Sequence, residues 1–157
     1  MKSTEDLNWV LSYYKTEYDA DSDLTEFTYA IKVNHDAKEN VVQVRLQLPC
    51  DCLVDKCMLQ SLLHSSNPAV DVDDGMFVWN IEVQTARIYL LRLVLNGKFD
   101  DSVSAEGQYA LYGDEQSCAY GGNIKVPQPC KCWGEWTASS NTCSDLTWYD
   151  IGSYVAL

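Results

Sequence analysis

Alternation of apolar and polar residues with a period of two most limits how this chain can fold. It is clearest in Glu26–Val33, Val41–Leu48 and Met76–Val83, where every second residue is apolar. Successive side chains of a strand point to opposite sides of a sheet, so the pattern predicts strands with one buried face. Leu7–Tyr18 is rich in aromatic and β-branched residues, and the acidic turn Asp19–Thr25 is predicted to join it to Glu26–Val33 as a hairpin.

The second half of the chain continues in short apolar segments. Ala86–Leu95 is apolar on both sides, which predicts a central strand covered on both faces, with the dipeptide Asn96–Gly97 as a hairpin turn after it. Weaker strands are predicted at Gln108–Tyr112 and Gly122–Val126. Asp55–Ser65 fits a short helix and an irregular strand equally well. Together these segments predict an all-β fold, an antiparallel β-sandwich of the jelly-roll or immunoglobulin-like kind with at most one short helix.

A change of composition near Pro127–Pro129 divides the chain. Residues 1–129 are predicted to form the β-sandwich core, and residues 130–157 an aromatic, cysteine-containing C-terminal segment that belongs to the same domain or to a subunit interface. Two short strands are predicted in this segment, near Trp133–Ala138 and Leu146–Val155. Its large aromatic side chains favour core or interface packing over a sugar-stacking platform; they are Trp133, Trp136, Trp148 and Tyr149.

The net charge of -12 and the pI of 4.3 narrow the choice of partners. Such a chain repels phosphate backbones and anionic headgroups, which argues against nucleic acid as a partner. The longest apolar stretch, around Ile88 to Leu95, is interrupted by Arg92 and is shorter than the roughly 18 residues that would span a bilayer. Membrane insertion is therefore not expected.

Seven cysteines indicate either disulfides or metal ligation. The closest pairs are one residue apart, whereas structural zinc favours pairs separated by about two to four residues. Disulfides are the favoured interpretation, and the odd number leaves one cysteine either to link subunits or to remain a buried thiol. The candidates for bridges within or between subunits are Cys50, Cys52, Cys57, Cys118, Cys130, Cys132 and Cys143.

The order of these elements resembles that of secreted β-sandwich domains of bacterial surface or spore-surface structural proteins. The resemblance lies in the segments Phe27–Val33, Val41–Cys52, the Trp79-centred strand, Arg87–Phe99 and Gly121–Cys130. It implies an extracellular or cell-surface location and a structural or adhesive role. It also implies a bridge from Cys50 or Cys52 to Cys130.

Little in the sequence predicts catalysis. The two histidines, His35 and His64, fall in predicted turns or loop edges, and no nucleophile elbow or phosphate-binding glycine loop is present. Gly121–Gly122 is interpreted as a turn or bulge. No enzymatic activity is expected.

An acidic turn offers a candidate metal site. Asp19, Asp21 and Asp23 have the spacing with which alternate carboxylates can face one calcium ion, although the residues that follow exclude an EF-hand. The other interpretation is a solvated turn that keeps the chain soluble. Calcium is thus the one cofactor that the sequence suggests.

These features favour a non-enzymatic extracellular structural subunit that assembles with itself, as a filament or surface layer, by β-strand addition and inter-subunit disulfides. The candidate donor strands are Leu7–Tyr14 and Thr147–Leu157. The alternative is a secreted adhesion module that binds calcium or carbohydrate. The expected partners are accordingly other copies of the chain, or a glycan.

Overall fold

Nine β-strands are formed by the residues that the computed structural model describes, which are 7–47, 62–65, 68–73, 76–99 and 104–127. In chain order they are β1 (Trp9–Asp19), β2 (Leu24–Val33), β3 (Val41–Gln47), β4 (Leu63–Ser65), β5 (Asp71–Asp73), β6 (Met76–Val83), β7 (Arg87–Asn96), β8 (Ser104–Gly113) and β9 (Cys118–Pro127).

The strands form two antiparallel sheets that pack face to face. One sheet has four strands in the order β1-β2-β7-β4, and the other has five in the order β5-β6-β3-β8-β9. Between the sheets, β1 lies against β9, and β2 and β7 lie against β6. This arrangement confirms the predicted all-β sandwich, and the predicted hairpin of the first two strands is confirmed as β1 and β2.

The core lies between the sheets and follows the period-two pattern. In β2 the alternating residues Phe27, Tyr29, Ile31 and Val33 are all buried. Each buried side chain of this size contributes about 1.5–3 kcal/mol relative to its exposed state. Tyr29 also connects the layers, because its ring meets that of Trp79 edge-on at 6.2 Å and its hydroxyl donates a 2.7 Å hydrogen bond to the carbonyl of Lys125.

The alternation predicted for β3 is correct only in its second half. Val44 and Leu46 are buried as expected. At the start of the strand, however, Val41 is fully buried and Val42 is only half-buried. The pairing register of β3 shifts between Val41 and Gln43 on both sides, and this irregularity places the earlier valine in the core.

Two expectations about β7 are wrong. The strand was expected to be covered on both faces, but Arg87–Leu90 is exposed. The dipeptide Asn96–Gly97 does not close a hairpin either, because β7 and the following β8 belong to different sheets. Gly97 instead has a φ of 101° and donates its N–H to the carbonyl of Asp23 at 2.8 Å, which ties the end of β7 to the β1–β2 turn.

Other predictions fall partly or wholly outside the described residues. Of the segment Asp55–Ser65, the last three residues form β4, in agreement with the strand alternative. The predicted strands Trp133–Ala138 and Leu146–Val155 lie outside the described residues. The division of the chain near residue 129 therefore stays a prediction.

Candidate functional site

One long edge of the four-stranded sheet has no neighbour among the described residues. On one side, β2 pairs with β7 at every position from Arg87 to Asn96. On the other side, β4 pairs only with Val94 and Leu95. We call Arg87–Leu93, whose second side no described strand occupies, the open edge of β7. Such an edge presents main-chain N–H and C=O groups that can pair with a further strand.

The open edge of β7 is regular, whereas the edge strands β1 and β9 are interrupted. The pairing of β2 with β7 shows no register shift. In β1, by contrast, an extra residue at Tyr14 forms a bulge opposite β2. In β9, an extra residue between Gly121 and Ile124 forms a bulge opposite β8. Bulges twist a strand and break its ladder, so these two edges are poorer templates for strand addition.

The remaining edge strands are short. β5 has three residues, and its two ends are the exposed Asp71 and Asp73. β4 also has three residues. Short edges with charged side chains are a common protection against unwanted pairing. Among the strands that the structure describes, the open edge of β7 is therefore the best template for another strand.

Apolar side chains accompany this edge. Ile88, Tyr89 and Leu90 are 63%, 40% and 38% exposed. Tyr89 lies opposite Ile31, which is fully buried, so its register places it on the inner face of the sheet. It is nevertheless exposed, because no described strand lies beyond it. A strand added here would cover the ring of Tyr89.

The outer face beside the open edge is apolar and locally basic. In the register of the sheet, Lys32 lies between Val10 on β1 and Ile88 on β7, and both of these are exposed. β7 adds Arg92 to this face and contains no acidic residue, whereas Arg87 lies opposite the buried Val33 and so falls on the inner face by register. On β2, Glu26 Oε1 is 3.7 Å from the Nε of Arg92 and pairs with it. This surface is therefore suited to an apolar segment that carries acidic residues.

The histidines lie as expected in exposed positions. His35 is in the connection from β2 to β3, and His64 is on β4, where its Nδ1 is 3.2 Å from Asn96 Oδ1. Within the described ranges, no group of three or more His, Cys, Asp or Glu side chains could hold a metal ion. No helix in those ranges is long and apolar enough to cross a membrane.

The predicted calcium ligands Asp19, Asp21 and Asp23 lie at the end of β1 and in the turn that leads to β2, exposed to solvent. Asp19 Oδ1 accepts the backbone N–H of Asp21 at 3.0 Å, and Asp23 Oδ1 accepts the hydroxyl of Tyr18 at 2.7 Å. These hydrogen bonds stabilise the turn locally, and Asp23 adopts a φ of 53° to complete it. Calcium binding at this turn stays a prediction.

Cys118 is the one predicted disulfide residue within the described ranges. It is half-buried at the start of β9, and its Sγ donates to Tyr120 Oη at 3.5 Å. The ring of Tyr120 meets that of Tyr112 edge-on at 6.5 Å. Burial, together with hydrogen bonds to Cys118 and Tyr112, raises the pKa of the Tyr120 hydroxyl.

The other predicted site residues lie outside the described residues, so the structure does not bear on the predicted disulfides or on the aromatic interface. They are Cys50, Cys52, Cys57, Cys130, Cys132, Cys143, Trp133, Trp136, Trp148 and Tyr149.

Sequence reasoning missed the open edge of β7. An apolar run predicts burial on both faces, but it carries no information about which neighbours a strand has. The run does contain one indication, because the half-exposed Arg92 interrupts it on the outer face. A strand buried on both faces would not carry an arginine on its outer face at low cost.

Comparison with known proteins assigns no family to the chain. No family model matches, and no curated protein matches. Among solved structures, the chain is similar to the mu homology domain of Fcho1 from Danio rerio with a bound Eps15 peptide, with a TM-score of 0.43 and 11% sequence identity. The match covers 80% of this chain and 49% of that one, so the chain spans about half the length of that structure.

Proposed function

We propose that the chain is a non-enzymatic structural subunit that assembles with copies of itself by β-strand addition at the open edge of β7. The observation that carries this proposal is the regular edge Arg87–Leu93 with its exposed residues Ile88, Tyr89 and Leu90. A strand that pairs there gains main-chain hydrogen bonds, each worth about 0.5–1.5 kcal/mol net. It also covers apolar side chains, which helps to offset the entropy lost on association.

The donor is Thr147–Leu157. Leu7–Tyr14, the other predicted donor, supplies most of its residues to β1, and Trp9 and Leu11 are buried in the chain's own core. Thr147–Leu157 is rich in aromatic and β-branched residues, which favour strands. Residues 132–157 contain no Lys or Arg and contain three acidic residues, Glu135, Asp145 and Asp150. This composition complements the apolar and basic surface around β7.

The position of β9 favours a donor from a second copy. Residues 128–157 follow β9, which is an edge strand and lies against β1. β7 lies against β6, toward the opposite side of the sandwich. A donor that leaves one side of a subunit and pairs on the other side of the next makes a heterologous contact. Contacts of this kind build open filaments unless the rotation closes a ring.

We place this assembly outside the cell or at its surface, where an oxidising environment supports bridges between cysteines. Disulfides between subunits would then lock joints that strand addition has formed. Native material should give oligomers on non-reducing gels that collapse to a 17.7 kDa band with reductant. Strand addition itself does not depend on sulfur, so non-covalent oligomers should persist in native solution after reduction.

Sedimentation velocity of the full chain over a range of concentrations tests the proposal. The test variant is Ile88→Lys, because lysine on an edge strand opposes further pairing. Its matched control is Val10→Lys, which makes the same kind of change opposite the same Lys32, but on the bulged strand β1. In the presence of a disulfide reductant, we expect Ile88→Lys to sediment as a monomer and Val10→Lys to assemble as the unchanged chain does.

A synthetic peptide of Thr147–Leu157 identifies the donor. It should bind the full chain and inhibit assembly, and it should bind Ile88→Lys at least tenfold more weakly than Val10→Lys. A chain that stays monomeric at every concentration, or equal assembly of the two variants, would contradict strand addition at β7.

A further inference from the structure

A groove of about 480 Å³ opens between the edge strands β1 and β9, on the opposite side of the sandwich from β7. Its size falls in the range of small-molecule sites, about 300–1,000 Å³. The apolar part of its lining is Leu11 and Ile124, and the aromatic part is Tyr13 and Tyr109. Polar groups come from Ser12, Glu106, Asn123 and Lys125.

Three irregular features meet at this groove. The β9 bulge falls between Gly121 and Ile124. Within it, Asn123 has a φ of 59°, in the left-handed region that asparagine adopts more readily than most residues other than glycine. A Cβ at Gly121 would overlap the ring and hydroxyl of Tyr109, so the glycine is required for that ring to lie against β9. Strained and bulged positions concentrate at functional sites, where they aim particular side chains.

Contacts with neighbouring residues fix the ring of Tyr13 in the lining of the groove. The ring of Tyr13 meets that of buried Tyr29 edge-on at 6.1 Å, and its hydroxyl is 2.6 Å from Thr16 Oγ1. Lys125 Nζ lies 5.3 Å from the centre of the Tyr13 ring, and the carbonyl of Lys125 accepts the hydroxyl of Tyr29. The groove therefore has walls that are already ordered before a ligand arrives, which lowers the entropic cost of binding.

From this lining we infer that the groove binds a neutral saccharide. Glu106 and Lys125 lie opposite each other on β8 and β9, so the lining holds one acid and one base and favours a ligand without net charge. Carboxylate, amide, hydroxyl and ammonium groups together donate and accept hydrogen bonds, as a polyhydroxylated ligand requires. The half-buried ring of Tyr13 suits the C–H face of a pyranose ring, and the buried Leu11, Tyr109 and Ile124 form an apolar floor beneath it.

An extended peptide is the competing occupant, and the geometry disfavours it. Both strands that border the groove are bulged near it, β1 at Tyr14 and β9 between Gly121 and Ile124. A peptide strand needs a continuous ladder of main-chain groups, which these edges do not offer. A saccharide is recognised by side chains and needs no ladder.

The test is an array of neutral, sialylated and sulfated oligosaccharides probed with the full chain, followed by titration of the strongest neutral ligand. Asn123→Gly is the informative variant, because glycine accepts the positive φ and only the side-chain amide is lost. The matched control is Asn8→Gly, since Asn8 also has a positive φ, of 60°, but does not line the groove. We expect Asn123→Gly to fold normally and to raise the Kd at least tenfold, and Asn8→Gly to bind unchanged.

Binding should also survive Ile88→Lys, because the groove is independent of the open edge of β7. In nuclear magnetic resonance spectra, the saccharide should shift the backbone amides of Gly122, Asn123 and Lys125. The inference is overturned if no neutral saccharide binds, or if Asn123→Gly binds as well as the unchanged chain. It is also overturned if the Thr147–Leu157 peptide, rather than a saccharide, shifts these amides.

Discussion

The two sides of this sandwich differ in the regularity of their strand edges. On one side, β7 is paired without a register shift and exposes Ile88, Tyr89 and Leu90 along an open edge. On the other side, the edges of β1 and β9 carry bulges and enclose a groove. A regular edge can be extended by a further strand, whereas a bulged edge positions side chains around a cavity. The proposed assembly surface and the proposed ligand groove thus lie on opposite sides of one sandwich.

The largest expected effect on stability comes from truncating a buried residue of β7 rather than an exposed one. Leu91→Ala removes a fully buried side chain and should lower the free energy of unfolding by about 2–5 kcal/mol. Leu90→Ala, at a residue that is 38% exposed, should cost less than about 1 kcal/mol. Urea denaturation of the monomer at low protein concentration measures both. Equal losses would show that the neighbourhood of Leu90 is buried in the isolated chain.

The second prediction tests the side of the sandwich on which β1 and β9 are bulged. Gly121→Ala places a Cβ in the space of the Tyr109 ring and should destabilise the chain by about 1–3 kcal/mol. Gly122→Ala is the control, because its Cβ would lie 3.6 Å from the nearest atom, Gln108 Cγ, in ordinary contact. Thermal unfolding of the two variants gives the comparison. If both were tolerated equally, close packing of Tyr109 on β9 would not shape the groove.

A third prediction concerns the link between β2 and β9. Burial raises the pKa of Tyr29, with a smaller contribution from Tyr13. The corresponding stability is complete below the unfolded pKa of about 10 and is lost as the pH rises toward the folded value, because only the unfolded chain ionises there. Tyr29→Phe should cost about 1 kcal/mol at pH 7 through the lost hydrogen bond to Lys125.

In unfolding titrations between pH 7 and 11, Tyr29→Phe should also lose less stability with rising pH than the unchanged chain. As a control, Tyr14→Phe, at a tyrosine that is 63% exposed, should change the stability at pH 7 by less than about 0.5 kcal/mol. A pH dependence that Tyr29→Phe does not change would mean that this hydroxyl is not buried in solution.

The smallest effect is a gain in stability at the turn before the open edge. Ala86 has a φ of 63° between β6 and β7, a conformation that glycine adopts without steric cost. Ala86→Gly should therefore stabilise the chain by about 0.5–1 kcal/mol, because the relief of strain exceeds the entropy that glycine loses. Calorimetry measures the gain, and assembly should be unchanged. A loss of stability would indicate that the turn is not strained.

Much of the fold could be predicted from local patterns. The spacing of Phe27, Tyr29 and Ile31 predicted both the strand and its buried face, and the acidic turn before them predicted the hairpin. At β3 the prediction failed at Val42, because a register shift depends on two neighbouring strands at once. At Asn96–Gly97 it failed because the dipeptide has the composition of a hairpin turn, but the strands it joins belong to different sheets.

Local sequence patterns could not predict the candidate sites. Nothing local distinguishes the exposed Leu90 from the buried Leu91, since both lie in one apolar run. The groove joins Tyr13 with Asn123, which are far apart in the chain. The run Gly121–Gly122 predicted a turn or a bulge, and the register of β9 shows the bulge, but the run did not predict the cavity beside it.

The order of residues along the chain determined that this protein would be built from strands with one apolar face, and therefore as two packed sheets, because side-chain direction in a strand is a local property with a period of two. Only the tertiary structure decided which strand would be left without a neighbour and which bulges would meet. Strand order and edge pairing arise from contacts between distant segments, and these decide where a β-sandwich can bind anything else.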